Sequence, residues 1–148
     1  MELVEEFVIK ADLDRPSLAG ATPAGNRVVA PIVGGTVKGE RINGAVVGPG
    51  ADWALMNDDG FNRIDVRTQI KTDDGVTIYM HYTGLLEYNA KVQAAFAGGE
   101  TSYDDQYFRA TPHLECGHKD YAWVNQTIFV SKGRILPGAV EYTVYRVT

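Results

Sequence analysis

Hydrophobic and polar positions along this chain alternate with the period of a β-strand and not that of a helix. The clearest case is residues 62–84, which read NRIDVRTQIK, then TDDG, then VTIYMHYTG. Two alternating runs rich in β-branched residues flank Asp74-Gly75, and Asp-Gly supplies the positive φ angles of a type I′ turn, so a hairpin is expected here. Residues 2–13 alternate less regularly through Val4, Phe7, Ile9 and Ala11 and read as an opening strand. Residues 15–26, with two prolines and two glycines, read as a loop. Strands are expected at 27–32, where Pro31 points to an edge or a bend, at 36–38 and at 41–47. Gly48-Pro49-Gly50 stops that run, and 51–60 reads as a loop with a short strand at 53–56. The sole helix is expected over residues 87–97, ended by Gly98-Gly99. Further strands are expected at 103–111, 114–116, 122–130 and 139–147, with turns at Gly133 and Pro137-Gly138.

About eight to ten short strands with one helix and no internal repeat specify an all-β antiparallel sandwich or barrel, since the crossover helices of a parallel sheet are missing. A length of 148 residues suits a single domain over residues 1–148. Neither face is cleanly polar in 78–82 or in 121–129, as expected for strands covered on both sides. A barrel of about eight strands is wide enough to be filled by side chains or to hold one small ligand.

Charge and cysteine usage narrow the setting. The net charge is −5 with no run of Lys or Arg, which argues against a nucleic-acid partner. Cys116 is the one cysteine, so no intramolecular disulfide is possible, which fits a reducing compartment. The first six residues hold three glutamates, unlike a secretory leader. No apolar run approaches the ~20 residues of a membrane helix, and a cytoplasmic protein is expected.

Several polar positions offer chemistry. Asp65 and Arg67 are two apart, so on a strand they share a face, as a pocket pair or as a structural ion pair. Asp52 and Trp53 follow the Gly-Pro-Gly turn; an apolar neighbour would raise the aspartate pKa and suit it to acid–base work, whereas a turn aspartate would bond its own backbone. His113, Glu115 and His118 lack the spacing of a metal site, and Glu115 alone is the better acid–base candidate. Tyr82, Trp123, Asn125 and Tyr145 are candidate pocket walls, Asn125 with the option of donating to a carbonyl. Cys116 has no evident activating neighbour except His118. There is no Gly-x-Ser-x-Gly elbow and no phosphate-cradling loop.

GPGADW (48–53), IDVR (64–67), TDDG (72–75), HLECG (113–117) and YAWVN (121–125) resemble, in order and spacing, the domain of unknown function 3237, and GGTVKG (34–39) is similar to its glycine-rich turn. The resemblance spans nearly the whole chain. It implies a small antiparallel β-barrel that associates into dimers or larger oligomers. Function is unknown for most members. Some fungal relatives act in natural-product pathways, where one resembles a cyclase that adds a hydroxyl across an alkene without cofactor.

The expected function is a cofactor-independent isomerase, cyclase or lyase that moves protons next to a carbonyl. Its partner would be a small apolar or aromatic molecule bearing a carbonyl or carboxylate. Arg67 would hold the anionic oxygen, Asp52 or failing it Glu115 would shuttle the proton, and Trp53, Asp65, Tyr82, Trp123, Asn125 and Tyr145 would form the binding site. No metal is expected. A non-catalytic ligand carrier and a side-chain-filled assembly domain are the alternatives.

Overall fold

The computed structural model of the protein describes residues 1–148. Its strands are β1 (Leu3–Leu13), β2 (Ser17–Thr22), β3 (Gly25–Gly39), β4 (Gly44–Met56), β5 (Phe61–Thr72), β6 (Thr77–Glu87), β7 (Phe108–Glu115), β8 (Phe129–Leu136) and β9 (Ala139–Val147). From β3 to β9 each strand pairs with the next in antiparallel fashion. β1 pairs with both β9 and β3, which closes eight strands into a barrel, and β2 lies outside that ring along β3. Closure leaves the ring without a free edge. A short helix, α1 (Ala90–Phe96), and a 3₁₀ helix (Lys119–Gln126) complete the chain. Neither is long and apolar enough to cross a membrane.

The period-two pattern becomes an inside and an outside. On β5, Asn62, Ile64, Val66, Thr68, Ile70 and Thr72 are buried, while Arg63, Asp65 and Arg67 face outward. Phe7, Phe108 and Phe129 are each about 1% exposed and anchor the interior cluster. Burying a side chain of that size contributes roughly 1.5–3 kcal/mol.

Several elements differ from the sequence expectation. The loop expected at 15–26 contains β2. The pieces expected at 27–32 and 36–38 form one strand, β3, whose pairing with β4 shifts register between Pro31 and Thr36. Gly48-Pro49-Gly50 does not end a strand; it lies in a register shift inside β4. The Asp74-Gly75 turn is not type I′, because only Gly75 has a positive φ, of 89°. Gly75 N–H donates to Thr72 O at 2.9 Å and Thr72 N–H to Val76 O at 2.8 Å, giving a three-residue loop with a left-handed glycine.

The helix is shorter than 87–97 because Glu87 still belongs to β6 and Asn89 caps α1, its Oδ1 accepting from Val92 N–H at 3.0 Å. The strands expected at 103–111 and 114–116 are one strand, β7. The strand expected at 122–130 is replaced over most of its length by the 3₁₀ helix. His118 Nδ1 accepts from Asp120 N–H at 3.2 Å, and Asn125 bonds both backbone groups of Cys116, at 2.9 and 2.7 Å. These side-chain bonds supply what a sheet ladder would otherwise provide. Gly133 lies inside β8 rather than in a turn: a Cβ there would sit 2.6 Å from the Phe108 ring, so the residue keeps room for that ring.

Candidate functional site

The barrel is not packed solid. One end encloses a cavity of about 490 Å³ between the inner wall and a cover made by the β1–β2 connection, α1 and the β8–β9 turn. Ile64, Val66, Leu86 and Phe108 form its apolar wall, and the exposed Leu18 and Phe96 stand at its mouth. Asp52, Asn62, Tyr82 and Tyr142 are the polar groups of its inner wall. Apolar walls with a few converging polar groups are the composition common among small-molecule pockets.

Asp52 is placed by the β4 register, opposite Ala30 on β3 and Val66 on β5. Beyond it the β4–β5 ladder lapses: pairing resumes at Leu55↔Arg63, leaving Trp53 and Ala54 without partners on β5. Two side chains fill the lapse. Asp52 Oδ1 accepts the Asp65 backbone N–H at 3.0 Å, and Arg27 Nη1 donates to Trp53 O at 2.7 Å. Asp52 Oδ2 accepts no hydrogen bond from the protein. Burial raises the Asp52 pKa from 3.8 to about 7, against the lowering effect of the Asp65 N–H; the nearby Asp65 charge raises it further and Arg27 lowers it. A carboxyl with a pKa near neutrality can both take and return a proton.

Tyr82 and Tyr142 are each 3% exposed, with ring centroids 5.2 Å apart at an interplanar angle of 70°. Phe108 packs edge-on against Tyr142 at 5.0 Å. Burial pushes both phenols above their ordinary pKa, and the Asp52 charge adds to the rise. They stay protonated across the physiological range, the two hydroxyls interact with each other, and each phenol is a neutral group able to donate one hydrogen bond. Asn62 is 8% exposed on the same wall, and its side-chain amide makes no hydrogen bond to the protein.

Of the sequence candidates, the cavity gathers Asp52 and Tyr82. Arg67 lies opposite His81 on the outer wall and is exposed, so it does not meet the Asp52 carboxyl. Asp65 also faces outward, and its partner is His81 Nε2 at 3.0 Å rather than Arg67. Glu115 is exposed on β7 and pairs with His113 Nε2 at 3.2 Å. Trp53 and Tyr145 line a groove on the outer wall. Trp123 stands in the 3₁₀ helix with the Arg41 guanidinium 3.5 Å above its ring, and Asn125 is committed to the Cys116 backbone. In each case strand parity, or the helix replacing a strand, sends the side chain elsewhere. Tyr142 and Asn62 are the cavity residues that the sequence reading passes over. They share their strands with Tyr145 and Asp65, at odd separations that put them on the opposite face.

A UPF0311 protein of Rhodopseudomonas palustris is 33% identical over 126 residues, spanning 84% of this chain and 82% of its own. The crystal structure of that organism's conserved protein of unknown function superposes with a TM-score of 0.92 at 30% identity, covering 99% of this chain and 97% of the other. A β-barrel-like protein from Acinetobacter baumannii gives a TM-score of 0.86 at 31% identity, covering 99% and 96%. A structure described as an enzyme from Penicillium herquei shares the fold at a TM-score of 0.66 and 18% identity, covering 100% and 96%. The family model "Protein of unknown function (DUF3237)" matches residues 1–147, and the chain belongs to that family.

Proposed function

We propose that the interior cavity catalyses proton transfer on a small, largely apolar or aromatic molecule carrying a carbonyl or carboxylate: an isomerisation, or an addition or elimination next to the carbonyl. The observation that carries this reading is Asp52, a cavity-lining carboxyl with one oxygen tied to the Asp65 N–H, the other free of protein donors, and a pKa of about 7. The apolar wall holds the body of the substrate. Asp52 takes the proton from the carbon or hydroxyl that reacts and returns it to the product. Tyr82, held neutral by burial and backed by the Tyr142 hydroxyl, donates a hydrogen bond to the oxygen on which negative charge develops, the role expected from sequence of Arg67.

The test is exchange of hydrogen for deuterium next to the carbonyl of aryl and alkyl ketones and enoic acids in D₂O, followed by proton NMR. The wild type should accelerate exchange on at least one compound class, and Asp52→Asn should lose about 10²–10⁴-fold of that rate. Equal exchange by both proteins would reject the assignment.

A further inference from the structure

A second concavity lies on the outer wall, and Ile64 is the one residue that lines both it and the interior cavity. It is a groove of about 1110 Å³ lined by residues of β1 and of β3 to β9. Trp53, Leu85 and Tyr107 line it and are 38%, 38% and 49% exposed, so large apolar side chains meet solvent there in a group and not singly. Arg27, Arg109 and Lys132 share the same lining.

None of these three cations has a carboxylate partner. Arg27 is braced on Trp53 O, and Arg109 donates to Phe108 O at 3.0 Å, with its guanidinium 5.2 Å from the Tyr107 ring centroid. Lys132 lies 5.1 Å from the ring of Tyr103 and 5.8 Å from that of Tyr145. Each is held by backbone or ring contacts that leave further N–H donors unused. Of the groove's other charged groups, Arg63 pairs with Asp59 at 2.6 Å, and the Asp65 carboxylate shares a hydrogen bond with the His81 imidazole at 3.0 Å, which leaves cations in excess. An otherwise acidic chain, of net charge −5, therefore concentrates unmatched positive charge between aromatic walls.

We propose that this outer groove is a binding site for a flat apolar or aromatic small molecule bearing an anionic group. Trp53, Tyr107 and Tyr145 offer ring faces, the cross-strand pair Arg109 and Lys132 takes the carboxylate, sulfonate or phosphate, and Arg27 adds positive charge to the same groove. A second copy of the chain fits less well, because a two-fold contact centred on the groove would bring these cations toward their own copies.

The test uses 8-anilinonaphthalene-1-sulfonate as the anionic probe and N-phenyl-1-naphthylamine, the same aromatic frame without the sulfonate, as its neutral counterpart. Fluorescence titrations compare the wild type with the double variant Arg109→Gln/Lys132→Gln and with Leu85→Glu, all at exposed or half-buried outer positions. The double variant should weaken the sulfonate probe at least tenfold while changing the neutral one less than twofold. Leu85→Glu, which puts a carboxylate in the groove, should abolish sulfonate binding. Unchanged sulfonate affinity in both variants, or equal losses for the two probes, would overturn the proposal. So would a wild-type dimer in sedimentation velocity that excludes the probe and falls apart in Leu85→Glu. Catalysis at Asp52 is read by a different assay, so either assignment can fail without the other.

Discussion

Asp52 and Asp65 touch through a single hydrogen bond but occupy opposite faces of the same stretch of barrel wall. Asp52 points inward, surrounded by apolar side chains and two phenols, and holds its proton up to about pH 7. Asp65 points outward, half-exposed, against the His81 imidazole. The same side chain at nearly the same place is a carboxyl with a raised pKa on one face and a solvated hydrogen-bond partner of an imidazole on the other. What separates them is which side of the pleat each occupies, and that is settled by strand register.

The comparison breaks most sharply on activity. Asp52→Asn keeps an oxygen to accept the Asp65 N–H but cannot titrate, and should lower turnover by about 10²–10⁴-fold. Asp65→Asn keeps the backbone N–H on Asp52 and removes a charge that contributes less to the raised Asp52 pKa than burial does, so it should stay within about threefold of wild type. Steady-state kinetics on whichever compound shows exchange checks both; equal losses would erase the distinction between the two faces.

Stability against pH comes next. The folded pKa of Asp52 lies above its unfolded value, so between about pH 4 and pH 7 the unfolded chain gives up this proton while the folded chain retains it. Stability should therefore fall as pH rises through that window and level off above it. A rise from 3.8 to about 7 corresponds to an upper bound of about 4 kcal/mol. Urea unfolding should find Asp52→Asn close to wild type at pH 4 and more stable at pH 8, with the gap opening in between. A gap that is the same at both pH values would remove the buried carboxyl from the account.

Packing gives a smaller contrast. Gly133→Ala presses a methyl group into the Phe108 ring and should cost about 1–3 kcal/mol in chemical denaturation. Arg67→Ala, on the exposed outer wall, should change stability by less than about 0.5 kcal/mol. A neutral Gly133→Ala would mean that the ring can give way where its contacts place it tightly.

The barrel was legible because alternation and turn chemistry survive in the sequence even where element boundaries slip. The hairpin of β5 and β6 shows this: its strands pair without interruption from Phe61↔Glu87 to Lys71↔Thr77 although its turn type differs from the one read. Inward and outward were not legible, because irregular pairings change the parity. In β3, Ile32 and Val37 are both buried although five residues apart, which an unbroken strand would send to opposite faces. The sequence singled out Asp52 for the indole beside it, yet Trp53 faces the other wall, and the elevated pKa comes from enclosure by the barrel. Arg67 and Glu115 carried suitable chemistry on the wrong side of their strands. Asn125 and Trp123 followed a strand pattern that side-chain bonds to the backbone turned into a helix.

The lapse in the β4–β5 ladder makes one backbone proton a gauge of the cavity. The Asp65 amide hydrogen rests on a carboxylate oxygen where a peptide oxygen would normally receive it, so its environment changes whenever Asp52 gains or loses a proton. In a ¹H–¹⁵N spectrum that single cross-peak should move with pH around a midpoint of about 7, and should stand still in Asp52→Asn. The outside of the wall thus carries a spectroscopic signal for the charge state inside it, readable before any substrate is known.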